Sequence, residues 1–111
     1  MKISKIIDEL GLKILSGDEA TDREVTGGYT SDLLSDVIGN AKEGNIWITV
    51  QTHMNIVAVA SLKDLAAIII VKSQNADALT IEKSIKENIL LLSSDEDAFT
   101  TSGRLFELLK N

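Results

Sequence analysis

Residues 46–71 run Ile46-Trp47-Ile48-Thr49-Val50, Gln51-Thr52-His53-Met54-Asn55, Ile56-Val57-Ala58-Val59-Ala60-Ser61-Leu62-Lys63-Asp64-Leu65, then Ala66-Ala67-Ile68-Ile69-Ile70-Val71. How the middle of this run folds decides the architecture. Ile46 to Val50 reads as a strand. Ala66 to Val71 is wholly apolar, largely β-branched and bounded by polar residues, which suits a strand buried on both faces. Between them, Ile56 to Leu62 has strand-like propensity, and a hairpin through His53–Asn55 would satisfy the local pattern. The other solution is a helix buried on nearly all sides. Two buried parallel strands require a crossover, and strand alternates with helix on both flanks, so the helix is the expected form.

The same rhythm extends outward. Ile3, Ile6, Ile7 and Leu10 recur at helical spacing, and Gly11 stands at the residue after the helix end. Leu12 to Leu15 reads as a short strand and residues 18–24 as an acidic loop. Thr26-Gly27-Gly28-Tyr29-Thr30-Ser31 carries turn chemistry and ends in two N-cap residues. Leu33, Leu34, Val37, Ile38 and Ala41 make a helical face closed by Gly44. Ala78, Ile81 and Ile85 form another stripe, and Ile89 to Leu92 another buried strand. Ser94-Asp95 would cap a last helix bearing Ala98, Ser102, Leu105 and Leu109, with Asp95, Glu96 and Asp97 in its first turn. The expected fold is α/β: one domain over residues 1–111, a three-layer α/β/α sandwich around a mostly parallel sheet of about five strands.

Composition narrows the function. Ile, Leu and Val supply 34 of 111 residues, enough for a compact core. No apolar stretch approaches the roughly 18 residues of a membrane span. Seventeen acids against eleven bases give a net charge of −6. That charge is spread along the chain, with five bases and nine acids in residues 1–50 and six and eight in residues 51–111. Phosphate neutralisation needs a concentrated basic face, so a nucleic-acid partner is not expected. Absence of cysteine removes disulfides and thiolate chemistry. Met1-Lys2-Ile3-Ser4-Lys5 runs into an amphipathic pattern without a signal peptide's apolar core, and a cytoplasmic location is the expectation.

In a parallel sheet, ligands gather beyond the C-terminal strand ends, where strand order reverses. Four segments belong there: Thr26–Asp32, Thr49–Asn55, Lys72–Asn75 and Ser93–Asp97. The candidate ligand-binding residues are therefore Thr26, Gly27, Gly28, Tyr29, Thr30, Ser31, Asp32, Gln51, Thr52, His53 and Asn55. Gly27-Gly28 before Thr30-Ser31 would offer backbone N–H groups to a phosphate, or simply supply the angles of a tight turn. No P-loop is present. His53, the only histidine, would need an orienting acid such as Asp32 or Asp95 to act as a base, and a cap or binding-edge role is the plainer reading. Asp32 and Asp36, four apart, resemble a metal pair but are usually a solvated face. No metal and no cofactor are expected. Trp47 belongs to the core, whereas an exposed Tyr29 ring would stack on a base or seal an interface. Phe99 and Phe106 widen the apolar stripe of the last helix, part of which a second subunit would bury.

At Val25-Thr26-Gly27-Gly28-Tyr29 and Asp32-Leu33-Leu34-Ser35-Asp36 the chain resembles the DRTGG domain family. The resemblance continues through Ile48–Ala60 and Ala67–Ile70 to Ala98-Phe99 and Gly103-Arg104-Leu105, covering roughly residues 10–110. Thr26-Gly27-Gly28 match the naming motif, and Glu24 and Val25 stand where its aspartate and arginine would be. The resemblance implies a small α/β module, similar to the N-terminal domain of HPr kinase/phosphorylase and to domains beside CBS domains in regulated pyrophosphatases. Such modules are regulatory, non-catalytic and tend to pair. The expectation is a non-enzymatic regulatory or scaffolding module, homodimeric and docking on a partner protein. The alternative is a sensor of a nucleotide, a phosphorylated metabolite or another anion at the Gly27–Asp32 strand-to-helix turn.

Overall fold

The computed structural model describes residues 1–17, 21–72 and 75–110. Among these residues there are five helices and five strands, alternating from the second strand onward: α1 (Ile3–Leu10), β1 (Lys13–Ser16), β2 (Gly27–Thr30), α2 (Leu34–Asn40), β3 (Asn45–Thr49), α3 (Asn55–Lys63), β4 (Ala67–Ile70), α4 (Ala78–Glu87), β5 (Leu91–Ser93) and α5 (Ala98–Leu109). The strands form one sheet in the order β1-β5-β4-β3-β2. β2 to β5 are parallel, and β1 joins β5 antiparallel with an irregularity between Ile14 and Ser16.

The decisive segment is a helix. α3 presents Ile56, Val57, Val59 and Ala60 to the interior, so residues with strand propensity become helical because the crossover between β3 and β4 must be covered. β3 and β4 are buried along their whole length, as their unbroken apolar runs require.

Burial divides into two layers. On one face Ile3, Ile6 and Leu10 of α1 and Leu105 of α5 pack on Ile46, Ile48, Ala67, Ile69 and Leu92. On the other, Val37 of α2, the apolar residues of α3 and the half-buried Ile81 of α4 pack on Trp47, Ile68, Ile70 and Leu91. The result is the expected three-layer sandwich. Each buried Ile or Leu contributes about 1.5–3 kcal/mol, so these two layers carry the stability.

Several local expectations need correction. Gly27-Gly28 is not a turn: Gly27 to Thr30 pair in register with Asn45 to Ile48 as an edge strand, and only residues 31–33 turn toward α2. The missing side chain at Gly28 serves packing, because a Cβ there would stand 2.9 Å from Leu105 Cδ2. Leu33 and Ile38 of the expected α2 face are exposed, and Val37 is the buried residue of that helix. α4 buries Thr80 and Ser84 while Ile85 is exposed. Hydrogen bonds make that polar face tolerable: Thr80 Oγ1 donates to Thr52 O (2.7 Å) and Ser84 Oγ to Ile81 O (2.7 Å). Ser94-Asp95 does not cap α5. Asp97 does, accepting from Thr100 N at 2.8 Å, so Asp95 and Glu96 precede the helix. Ser94 instead bonds Thr101 in the interior (3.0 Å). Asp18, Glu19, Ala20, Ser73 and Gln74, from two of the expected loops, lie outside the described residues.

Candidate functional site

The C-terminal ends of β2 to β5 share one edge, and the loops that leave it bond to one another. Asp32, just after β2, is the hub. Its Oδ1 accepts from Thr49 Oγ1 (2.8 Å) and from Val50 N–H (2.9 Å), both at the end of β3. Gln51 Nε2 donates to Asp32 O (3.1 Å), and Gln51 N–H donates to Thr49 Oγ1 (3.1 Å). Ser31 O accepts from the Trp47 indole N–H (2.8 Å), and Ser31 Oγ accepts from Leu33 N–H (3.1 Å). Thr49 is buried, so its hydroxyl requires these partners. Ser31, Asp32 and Gln51 are thus brought together, and the bonds join the β2–α2 turn to the β3–α3 turn.

The other candidates go elsewhere. The Thr52 carbonyl accepts from Thr80 Oγ1 and from Asp77 N–H (3.3 Å), fixing the start of α4. His53 Nδ1 accepts from Asn55 N–H (3.3 Å), and its carbonyl accepts from Ile56 N–H (3.1 Å), so His53 closes the exposed first turn of α3. It is not the helix cap: Met54 holds that position, and no side chain caps α3 there. Tyr29 turns toward α2, where its hydroxyl donates to Asp36 Oδ1 (2.8 Å) and Asn40 Nδ2 donates to the same oxygen (2.9 Å). This bond holds the Asp36 carboxyl below its ordinary range, and the neighbouring carboxylate together with burial pushes the tyrosine hydroxyl up. The Tyr29 ring is half-buried among the α2–α3 layer rather than free to stack. Thr26 sits at the opposite end of β2, donating to Glu43 O (2.7 Å) and accepting from Asn45 Nδ2 (3.1 Å).

Strand order also moves the expected crevice. The connections after β2, β3 and β4 all run over the α2–α3–α4 face, whereas β5 leads to α5 on the opposite face. The reversal therefore falls between β4 and β5. There Lys72 N–H donates to Glu96 O (3.0 Å) across the gap. Asp32, after β2, stands two strands away from that reversal, and Gln51, after β3, one.

A groove of about 500 Å³ lies on the α5 side of β2. Gly27, Gly28 and Thr30 form its strand wall, and Ser102, Phe106 and Leu109 its helix wall. Thr30 and Ser102 hydroxyls bond at 2.7 Å across it. Lys110 stands at its rim. β2 is an edge strand, so one side of its backbone has no strand neighbour. Three of the candidates thus meet in a groove whose other wall comes from the far end of the chain. The helix-side residues were not singled out as a site by sequence. The signal was the spacing of Phe99 and Phe106, two turns apart. Among the described residues no group of three His, Cys, Asp or Glu side chains is placed to hold a metal ion. No described helix is long and apolar enough to cross a membrane.

A solved structure has a similar fold. It holds the CBS and DRTGG domains of the regulatory region of Clostridium perfringens pyrophosphatase, complexed with the activator diadenosine tetraphosphate. The superposition has a TM-score of 0.70 at 19% identity, covers 94% of this chain and takes in 45% of that one. The fold is DRTGG-like. At this identity the likeness is one of fold, and the present chain spans under half of its neighbour's length. No family model and no curated protein sequence matches the chain.

Proposed function

We propose that the chain is a non-enzymatic regulatory or scaffolding module that works by association, pairing with a second copy and docking on a partner protein. The observation that carries this reading is the contrast around β2. On the loop side, the polar groups that chemistry would recruit are joined to one another through Asp32. On the α5 side, a groove lined by Phe106 runs along an open strand edge, and Phe99 is exposed two turns away on the same helix. Surfaces of that composition serve protein contacts. The fold neighbour supports the reading, being part of an enzyme's regulatory region. Equilibrium sedimentation up to ~300 μM tests it: self-association is expected, and a monomer throughout would remove the homodimer.

A second reading has one observation in its favour. The neighbour is complexed with a dinucleotide activator, and the β2–α5 groove falls within the usual size of small-ligand sites, with hydroxyls at Thr30 and Ser102 and an ammonium at Lys110. A nucleotide or phosphorylated metabolite bound at Gly27–Asp32 would sit in this groove, on a strand rather than at a helix start. A thermal-melt series with diadenosine tetraphosphate, ATP and AMP checks it. Saturation at 100 times the dissociation constant stabilises by about 2.7 kcal/mol, a shift of several degrees. A flat series leaves association as the function.

A further inference from the structure

We propose that two copies of this chain pair through the outward face of α5, antiparallel, about a two-fold axis that passes between Ser102 and Gly103. This rests on the association reading above and gives it a surface and a partner. Thr101 and Leu105 set the inward side of the helix. On the opposite side Phe99 is 89% exposed and Phe106 66%, and Gly103 lies between them. Positions 99, 103, 106 and 110 form one line along an α-helix.

Gly103 is the second observation. A Cβ there would meet nothing within 4 Å, and its φ is not in the left-handed region. Neither space nor backbone conformation within the chain requires glycine, yet a mid-helix glycine weakens the helix relative to alanine. Gly39 has equally open surroundings, but it stands one residue from the end of α2, where propensity counts for less. In the middle of α5 between two exposed aromatic rings, a missing side chain is what close approach of a second backbone needs.

The third observation is symmetry. Two small residues, Ser102 and Gly103, stand midway between two like aromatic residues, so this face can pair with a rotated copy of itself as an isologous contact does. Antiparallel pairing sets Phe99 of each copy beside Phe106 of the other, with the two small residues at the crossing. Charge agrees with it. α5 begins just after Asp95-Glu96-Asp97 and ends at Lys110, so each lysine approaches the acidic turn of the other copy, and the helix dipoles oppose.

The chain has no cysteine, so Gly103→Cys introduces a single thiol close to the axis. Disulfide formation demands Cα atoms within about 7 Å. Mild oxidation should therefore cross-link Gly103→Cys at least about ten-fold faster than Leu62→Cys, whose exposed position is on α3 across the sheet. Gly103→Gln should raise the melting temperature of diluted protein, because glutamine is the better helix former, while weakening self-association about ten-fold or more. These opposite signs separate a lost interface from a damaged fold. Equal cross-linking rates, or unchanged association of Gly103→Gln, would overturn the α5 interface while leaving pairing through another face, and the association reading, in place. A wild-type chain that stays monomeric would overturn the pairing itself.

Discussion

Two regions flank β2 and spend their residues in opposite ways. At the loop edge, Ser31, Asp32, Thr49 and Gln51 are polar, and their hydrogen bonds hold two turns together. On α5, Phe99 and Phe106 are apolar and are left facing outward. The difference teaches that residue type alone does not say which groups this fold leaves open. The polar groups of the edge bond to one another, and two apolar rings of α5 are left exposed. Substitutions at the edge should therefore change stability without association, and substitutions on the outer face of α5 the reverse.

The largest expected effect lies beneath both regions. Leu105 is buried between α5 and the sheet, so Leu105→Ala should cost about 2–5 kcal/mol in urea unfolding and weaken association too, since α5 loses its seat. A loss below about 1 kcal/mol would mean that α5 is not anchored there. Asp32→Ala comes next. It removes the acceptor of the buried Thr49 hydroxyl, at a cost of about 1–3 kcal/mol, with sedimentation unchanged. Gly28→Val should cost about 1–3 kcal/mol by pushing on Leu105. Because it shifts the helix that frames the groove, it sharpens the comparison by moving both readouts.

A smaller effect follows from Tyr29 and Asp36. The folded Asp36 carboxyl titrates below its unfolded value, so its contribution is present above the ordinary aspartate range and is lost as pH falls through the folded value. The Tyr29 hydroxyl titrates above its unfolded value, so its contribution is present below the ordinary tyrosine range and is lost as pH rises through the folded value. Melting temperature against pH should decline at both ends, and Asp36→Asn should flatten the acid limb. An acid limb identical in Asp36→Asn would assign it to other carboxylates.

Much of the fold was legible, because burial and connectivity reinforce one another in a parallel sheet. Ala66–Val71 could only be a buried strand, and that forced Ile56–Leu62 into a helix against its propensity. Gly27–Thr30 was misread because glycine has low strand propensity and looks like a turn. Its strand state comes from β3 beside it and from Leu105, 77 residues later, which no local window contains. The stripe of α4 was misread for a similar reason. Thr80 and Ser84 are buried through partners at Thr52 and Ser16, distant in sequence, while Ile85 looks apolar but faces out. Of the candidate residues, Ser31, Asp32 and Gln51 lie together at the turns after β2 and β3, a grouping that sequence did not single out. Tyr29 lies against α2, whereas His53 and Asn55 bond to each other at the start of α3. The groove stayed hidden because its two walls lie at opposite ends of the chain.

The most direct test is sedimentation velocity of Phe99→Ser beside the wild type, at a concentration where the wild type self-associates. Phe99 makes up none of the core, so the variant should melt as the wild type does when dilute, and it should sediment as a monomer. A Phe99→Ser chain that associates as tightly as the wild type would contradict the assignment of the outer α5 face to association.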